Sequence, residues 1–244
     1  MELRAEGVSR QYFRKSKSSN VFWAVHEAEL ALRAGELTEL TGLLAPTAAR
    51  VLLDGTDLYA LTDEARSRLR NEKLGVIPQG QTALRSLTVL ENVKLPCAMY
   101  GEAVSDDATV ELLERVGIAG LKDTYPNELS GGELRRLAIA RSLVGRPGVL
   151  LADEPTSNLD DGNTGAVLRL LRQCADEGAA VLLVTHERDA AEYADRVFHM
   201  DGGILSAEQR GRFAFDTLTP ALSTTTGKAN TRCGRQRSKK RGAF

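Results

Sequence analysis

Two clusters in this chain have side chains that could do chemistry: Ser130-Gly131-Gly132 and, some twenty residues on, Asp153-Glu154. The first opens a helical pattern running from Leu134 to Val144. A hydroxyl and two uncrowded backbone N–H groups at a helix start make an anion site. The second follows the apolar run Val149–Ala152, bounded by Gly148 and Pro155, which reads as a buried parallel strand. Its carboxylates therefore stand at the carboxyl end of a strand, where open α/β sheets bind ligands. Two further apolar runs end in polar residues, Leu74–Pro78 in Gln79 and Ala179–Val184 in Thr185-His186-Glu187. Taken singly, each piece has a plainer reading. The first two are a helix cap and a core strand with solvated acids, Gln79 is a surface amide, and His186 is a structural imidazole.

Taken jointly, the pieces resemble a family. Leu129 to Glu133 looks like the signature motif of ATP-binding-cassette (ABC) ATPases, Val149 to Glu154 like their Walker B strand, and Ser157 to Asp160 like their D-loop. Gln79 is similar to the family's Q-loop glutamine and His186 to its switch histidine. The resemblance covers about residues 1–210. It implies an α/β fold, a P-loop NTPase-like core of mixed sheet flanked by helices, with an antiparallel β subdomain and a helical signature subdomain at about 80–145. It also implies site roles. Glu154 is the general base that polarises the attacking water, and His186 contacts the γ-phosphate. Asp153 and Gln79 hold Mg2+. Ser130, Gly131, Gly132 and Glu133, with Asp160 of the D-loop, face nucleotide held by a partner. An aromatic after the first strand stacks on adenine; Tyr12 is the best placed, with Phe13 in reserve.

The elements that must position these groups follow in order. Leu3–Tyr12 and Val21–Leu32 alternate apolar and polar residues and read as antiparallel strands around the polar loop 15–20. Gly35–Thr41 should be the strand entering the phosphate loop, and Arg50–Leu53 a strand before the turn Asp54-Gly55. Helices are expected over Asp63–Asn71 with a cap at Thr62, from Thr88 to Met99 with Thr88 as its cap, over Ser105–Val116 capped by Ser105, and over Asn163–Ala175. Arg196–Met200 and Ile204–Ser206 flank Asp201-Gly202-Gly203, a hairpin signal.

One departure from the family pattern stands out. Thr41-Gly42 runs straight into Leu43-Leu44-Ala45-Pro46-Thr47, and no Gly-Lys-Ser or Gly-Lys-Thr occurs anywhere in the chain. Roughly sixteen residues of the family pattern, the Walker A motif G-x-x-x-x-G-K-[ST] and its helix, are missing by that comparison. Walker A backbone N–H groups cradle phosphates, its Lys neutralises their charge and its hydroxyl holds Mg2+. The fold expectation is thus an ABC core with the P-loop and its helix absent. The loss of several buried side chains at about 1.5–3 kcal/mol each rivals the ~5–15 kcal/mol stability of a whole domain. Glu39 and Thr41 also sit oddly in a strand that should be almost wholly apolar.

Composition sets the remaining bounds. Apolar content of 42% and charged content of 27% are ordinary for a globular protein. The net charge of −1 conceals an asymmetry, because from Thr217 onward there are seven basic residues and no acids, leaving 25 basic against 33 acidic elsewhere. Residues 216–244 therefore read as a basic, disordered tail after a nucleotide-binding domain at 1–215, with weak adhesion to anionic lipid as the sharper reading. Cys97, Cys174 and Cys233 lack metal spacing and suit a reducing compartment. No apolar run reaches the length of a membrane span.

The expectation is the ATP-binding subunit of an ABC transporter, an ATP hydrolase using ATP and Mg2+. Its partners would be a second nucleotide-binding subunit, the same or different, and a transmembrane permease; nucleic acid is not expected. Its place would be cytoplasmic, peripheral on the inner face of the cell membrane. Arg66–Pro96 looks most like the subfamily serving lipoprotein release, macrolide or peptide export and cell division. The alternative is a catalytically silent subunit or deletion product lacking Walker A, lending at most its signature motif to a competent partner.

Overall fold

The computed structural model describes residues 1–13, 21–41, 48–80, 82–157 and 159–208, and the backbone alone at 10–13, 21–24, 39–41, 48–49 and 188. Loop 15–20, residues 42–47 where a phosphate loop is sought, Asn158 and the basic tail lie outside the described residues.

The alternating N-terminal pattern forms the strands β1 (Glu2–Phe13) and β2 (Val21–Arg33), antiparallel with Leu3 opposite Leu32. The next strand is β3 (Leu37–Thr41). β4 (Ala48–Leu53) returns antiparallel to β1 and continues into the short β5 (Thr56–Asp57). Among the described residues these make a four-stranded sheet in the order β2-β1-β4-β5. Later strands are β6 (Leu74–Ile77), β7 (Val149–Asp153), β8 (Ala180–Val184), β9 (Arg196–Asp201) and β10 (Ile204–Ala207). With β3 they build a second sheet, ordered β10-β9-β3-β8-β7-β6, all parallel except the β9–β10 hairpin.

Both faces of the neighbouring strands β7 and β8 are largely buried, which is why these two read as nearly unbroken apolar runs. Leu150, Ala152, Val181 and Leu183 face the helices: α2 (Val89–Ala98), α3 (Asp106–Arg115), α4 (Gly131–Leu143) and α5 (Asp161–Asp176). In α5 the buried positions Val167, Leu168, Leu171, Cys174 and Ala175 repeat with helical spacing. On the opposite face Val149, Ala180, Leu182, Val184 and Phe198 meet Leu3, Leu32 and Leu53 of the antiparallel sheet, with Leu58 just beyond β5. This face of the second sheet is thus buried sheet on sheet. The amide of His26 in β2 also donates to the carbonyl of Gly203, 2.7 Å away. β3 takes its central place, between β8 and β9, in spite of its polar residues. Thr38 is fully buried there, and its hydroxyl has no hydrogen-bond partner among the described residues.

Local signals fix the helix starts. Thr62, Thr88 and Ser105 each accept a backbone N–H at the start of α1 (Asp63–Lys73), α2 and α3. Asn92, buried in α2, receives the amide of Leu84 on Oδ1 (2.8 Å) and donates from Nδ2 to the carbonyls of Leu84, Leu87 and Thr88. It thereby folds residues 84–88 back onto the helix. Among the described residues, no helix is long and apolar enough to cross a membrane.

Candidate functional site

The register of the parallel strands brings three polar ends together. Ile77 of β6 pairs with Ala152 of β7, and Asp153 with Val184 of β8. Pro78-Gln79, Asp153-Glu154 and Thr185-His186 therefore leave the sheet side by side at its carboxyl edge. Gln79 and His186 are exposed. The amide of Glu154 donates to the carbonyl of Val184 at 2.7 Å, and its backbone turns with a left-handed φ of 47°. Glu154 Oε1 lies 2.9 Å from His186 Nδ1, and the hydroxyl of the buried Thr185 reaches Oε2 at 3.4 Å.

Asp153 and His186 are both shifted by this crowding. Burial, and then the charge of Glu154, raise the Asp153 carboxyl above its ordinary range, against the opposing pull of Arg135. The hydrogen bond from His186 to Glu154, followed by the charge of Glu154, raises the imidazole above its ordinary value. Asp153 and the amide oxygen of Gln79 are hard oxygen donors, the kind Mg2+ takes beside phosphate and water. Among the described residues no cluster of three or more His, Cys, Asp or Glu side chains could hold a metal ion.

The signature segment forms a second locus. Ser130 caps α4: its hydroxyl accepts the Glu133 amide (3.4 Å) and donates to Glu133 Oε2 (2.8 Å), which also takes the Ser130 amide (2.7 Å). These bonds hold the Glu133 carboxyl below its ordinary range. Ser130 and Gly131 are exposed. Gly132 packs so closely on the Asn163 side chain that an added Cβ would lie 3.3 Å from it.

Asp160, which the resemblance places at the nucleotide, stands at the start of α5. Its carboxylate caps α5, receiving the amide of Asn163 at 2.8 Å and its Nδ2 at 2.7 Å. Those bonds lower its carboxyl below the ordinary range. Tyr12 and Phe13 lie in β1, and their side chains are outside the described residues.

Sequence reasoning missed Arg135. This arginine, 7% exposed, reaches from α4 to the carbonyls that end β6 and β7. The one available signal was a charge among the apolar residues Leu134 and Leu137 of an expected helix.

Comparison with known proteins bears on all of this. The ABC transporter family pattern matches residues 37–157. The lipoprotein-releasing system ATP-binding protein LolD of Xanthomonas oryzae pv. oryzae is 37% identical over 221 residues, covering 83% of this chain and 89% of the relative. LolD of Bdellovibrio bacteriovorus is 39% identical over 171 residues, covering 68% of this chain and 78% of its own. Among solved structures, the dimeric structure of MJ0796, a bacterial ABC transporter cassette, superposes with a TM-score of 0.76 at 28% identity, over 86% of this chain and 99% of that one. A post-hydrolysis dimer of MJ0796 bound to ADP and Pi matches equally well, at 27% identity. With Glu154 and His186 paired at the sheet edge and the signature serine capping its own helix, the chain belongs to the ABC transporter family, among its ATP-binding proteins.

Proposed function

We propose that this chain is one of two nucleotide-binding subunits of a lipoprotein-release-like export system, coupling ATP binding and hydrolysis to a separate membrane subunit from the cytoplasmic side of the cell membrane. The observation carrying this reading is the Glu154–His186 pair at 2.9 Å, set beside Asp153 and Gln79 at one sheet edge. Similarity to LolD supplies the class of cargo, and the MJ0796 dimers supply the pairing. In the reaction Glu154 takes a proton from water as the water oxygen attacks the γ-phosphorus, and the bond to the β-bridging oxygen breaks to release ADP. His186 donates from Nδ1 to Glu154. When protonated it can also donate from Nε2 to a γ-phosphate oxygen, and its raised pKa favours that form. Mg2+, held by Asp153 and Gln79, would neutralise charge on the phosphates. Ser130, Gly131 and Gly132 would meet nucleotide held by the second subunit, and Tyr12 would stack on adenine.

A second reading rests on the sequence between β3 and β4, which has no Gly-Lys-Ser or Gly-Lys-Thr. In this reading the chain's own site binds nucleotide poorly, and its signature segment completes the site of a competent partner. Adenine stacking alone, at about 1–3 kcal/mol, gives binding weaker than the millimolar range, which needs about 4.1 kcal/mol.

Equilibrium Mg-ATP binding and phosphate release by the purified chain, alone and mixed with a Walker-A-intact subunit, separate the two. Turnover by the chain alone that disappears on Glu154→Gln establishes the first reading. Turnover only in the mixture, lost on Ser130→Arg and kept on Glu154→Gln, establishes the second. Absence of turnover in both preparations overturns both.

A further inference from the structure

Arg135 lies one turn inside α4 with its guanidinium buried against the ends of two strands. Nε donates to the carbonyl of Pro155 at 2.6 Å, and Nη1 to the carbonyl of Pro78 at 2.6 Å. Nη2 donates to the carbonyls of Asp153, at 3.2 Å, and of Glu154. Three consecutive carbonyls of the turn after β7 thus converge on one cation. The fourth acceptor immediately precedes Gln79. A planar guanidinium with five N–H groups in a fixed fork can serve all four; an ammonium has three, all on one atom.

Convergence of successive carbonyls needs a curled backbone, and the curl is visible in the left-handed φ of 47° at Glu154. Such a residue persists only where its surroundings over-determine it. Two amide bonds help, from Glu154 to the Val184 carbonyl at 2.7 Å and from Ser157 to the Glu154 carbonyl at 3.1 Å. Neither gathers the carbonyls of Asp153 and Pro155. Left without a cation, the three would face one another in a buried space, a desolvated and mutually repelling arrangement.

We propose that Arg135 is a positioning residue: by clamping the carbonyls of Pro78, Asp153, Glu154 and Pro155 it holds Glu154 in its left-handed turn, aims its carboxylate at His186, and ties this edge to the signature helix. The helix start that faces a partner's nucleotide and the turn that carries the chain's own base then move as one body. The catalytic weight of the clamp rests on Glu154 being the base proposed above. Its geometry is measured without nucleotide, so the two ideas fail separately.

The test is heteronuclear NMR on the full chain and on Arg135→Met and Arg135→Lys. In Arg135→Met the 13Cα and 13Cβ shifts of Glu154 should leave their left-handed values. The Ser157 amide should exchange about ten- to a hundredfold faster, the loss expected with a charged hydrogen bond. Amides of Val181 and Leu183 should keep their protection, and Arg135→Lys should restore part of both signals. Unchanged Glu154 shifts and Ser157 protection in Arg135→Met would overturn the proposal, as would uniform loss of protection across the sheet. If Arg135→Met does not fold, Arg135→Lys alone is compared with Arg135→Lys/Glu154→Gly. Glycine needs no clamp to hold a positive φ, so the second change should recover part of the fall in Tm; no recovery would overturn the proposal.

Discussion

Gly75→Ala offers a measured test of the packing that carries Gln79 to the site. Gly75 sits in β6, and a methyl group there would lie 2.5 Å from the Ser142 carbonyl oxygen, 2.8 Å from Pro147 Cγ and 2.9 Å from Leu150 Cδ1. The first is helix backbone, the second a ring and the third a core side chain, so none can swing away freely. Overpacking of this kind costs about 1–3 kcal/mol. Alanine returns about 0.5–1 kcal/mol of backbone entropy relative to glycine. The net expectation is a loss of roughly 1–2 kcal/mol, or a Tm lower by about 2–8 °C in a chain of this size. The assay is thermal and urea unfolding of the full chain, with Gly120→Ala as control, because a Cβ at Gly120 meets no atom within 4 Å. Relief of the clash should push β6 outward, lengthen the 2.6 Å bond from Arg135 to the Pro78 carbonyl, and speed amide exchange at Ile77. A Gly75→Ala chain as stable as the parent would refute the reasoning.

Three further outcomes are expected. The pKa of His186, measured by imidazole NMR, should lie above its ordinary value and fall back toward it on Glu154→Gln. Because the folded value is raised, the stabilisation from this pair is complete below the unfolded pKa and lost as pH rises through the folded one; an unshifted His186 would contradict the pairing. Cys97 and Cys174 are 3% and 4% exposed, and burial pushes the Cys174 thiol up to about 11. A Cys233→Ser chain should therefore stay unlabelled by a thiol reagent at pH 8 until it is unfolded. Removal of residues 217–244 should leave Tm unchanged, and a fall of several degrees would show that the basic tail packs on the domain.

The sequence disclosed most where a local rule decides the outcome. Thr62, Thr88 and Ser105 are expected as caps and cap their helices, because each needs only its own side chain and an amide three residues on. The apolar runs Val149–Ala152 and Ala179–Val184 become neighbouring strands, and their polar followers meet because parallel register brings strand ends level. Asp160 receives the amide and Nδ2 of Asn163, a capping role that the three-residue spacing could have signalled beside the nucleotide contact implied by its motif. Arg135 could not be placed from sequence, since its four acceptors come from two other strands and only the tertiary fold gathers them. The direct packing of Val184 and Phe198 with Leu3 and Leu32 was equally hidden, because apolar runs tell that a face is covered without telling by what.

The capping box at Ser130 has a consequence for anion choice. Glu133 already occupies the hydroxyl and the amide of Ser130. An incoming phosphate oxygen therefore enters a displacement contest rather than a vacant cradle. The number of hydrogen bonds is nearly conserved in that swap, so charge decides it. A singly charged carboxylate tethered to the same helix defeats chloride, acetate or any other monovalent anion from solution. A terminal phosphate, with about −1.5 to −2 charges, can prevail. If Ser130 meets a partner's nucleotide as proposed above, the resident acid works as an internal competitor that sets a threshold of charge for entry to the start of α4.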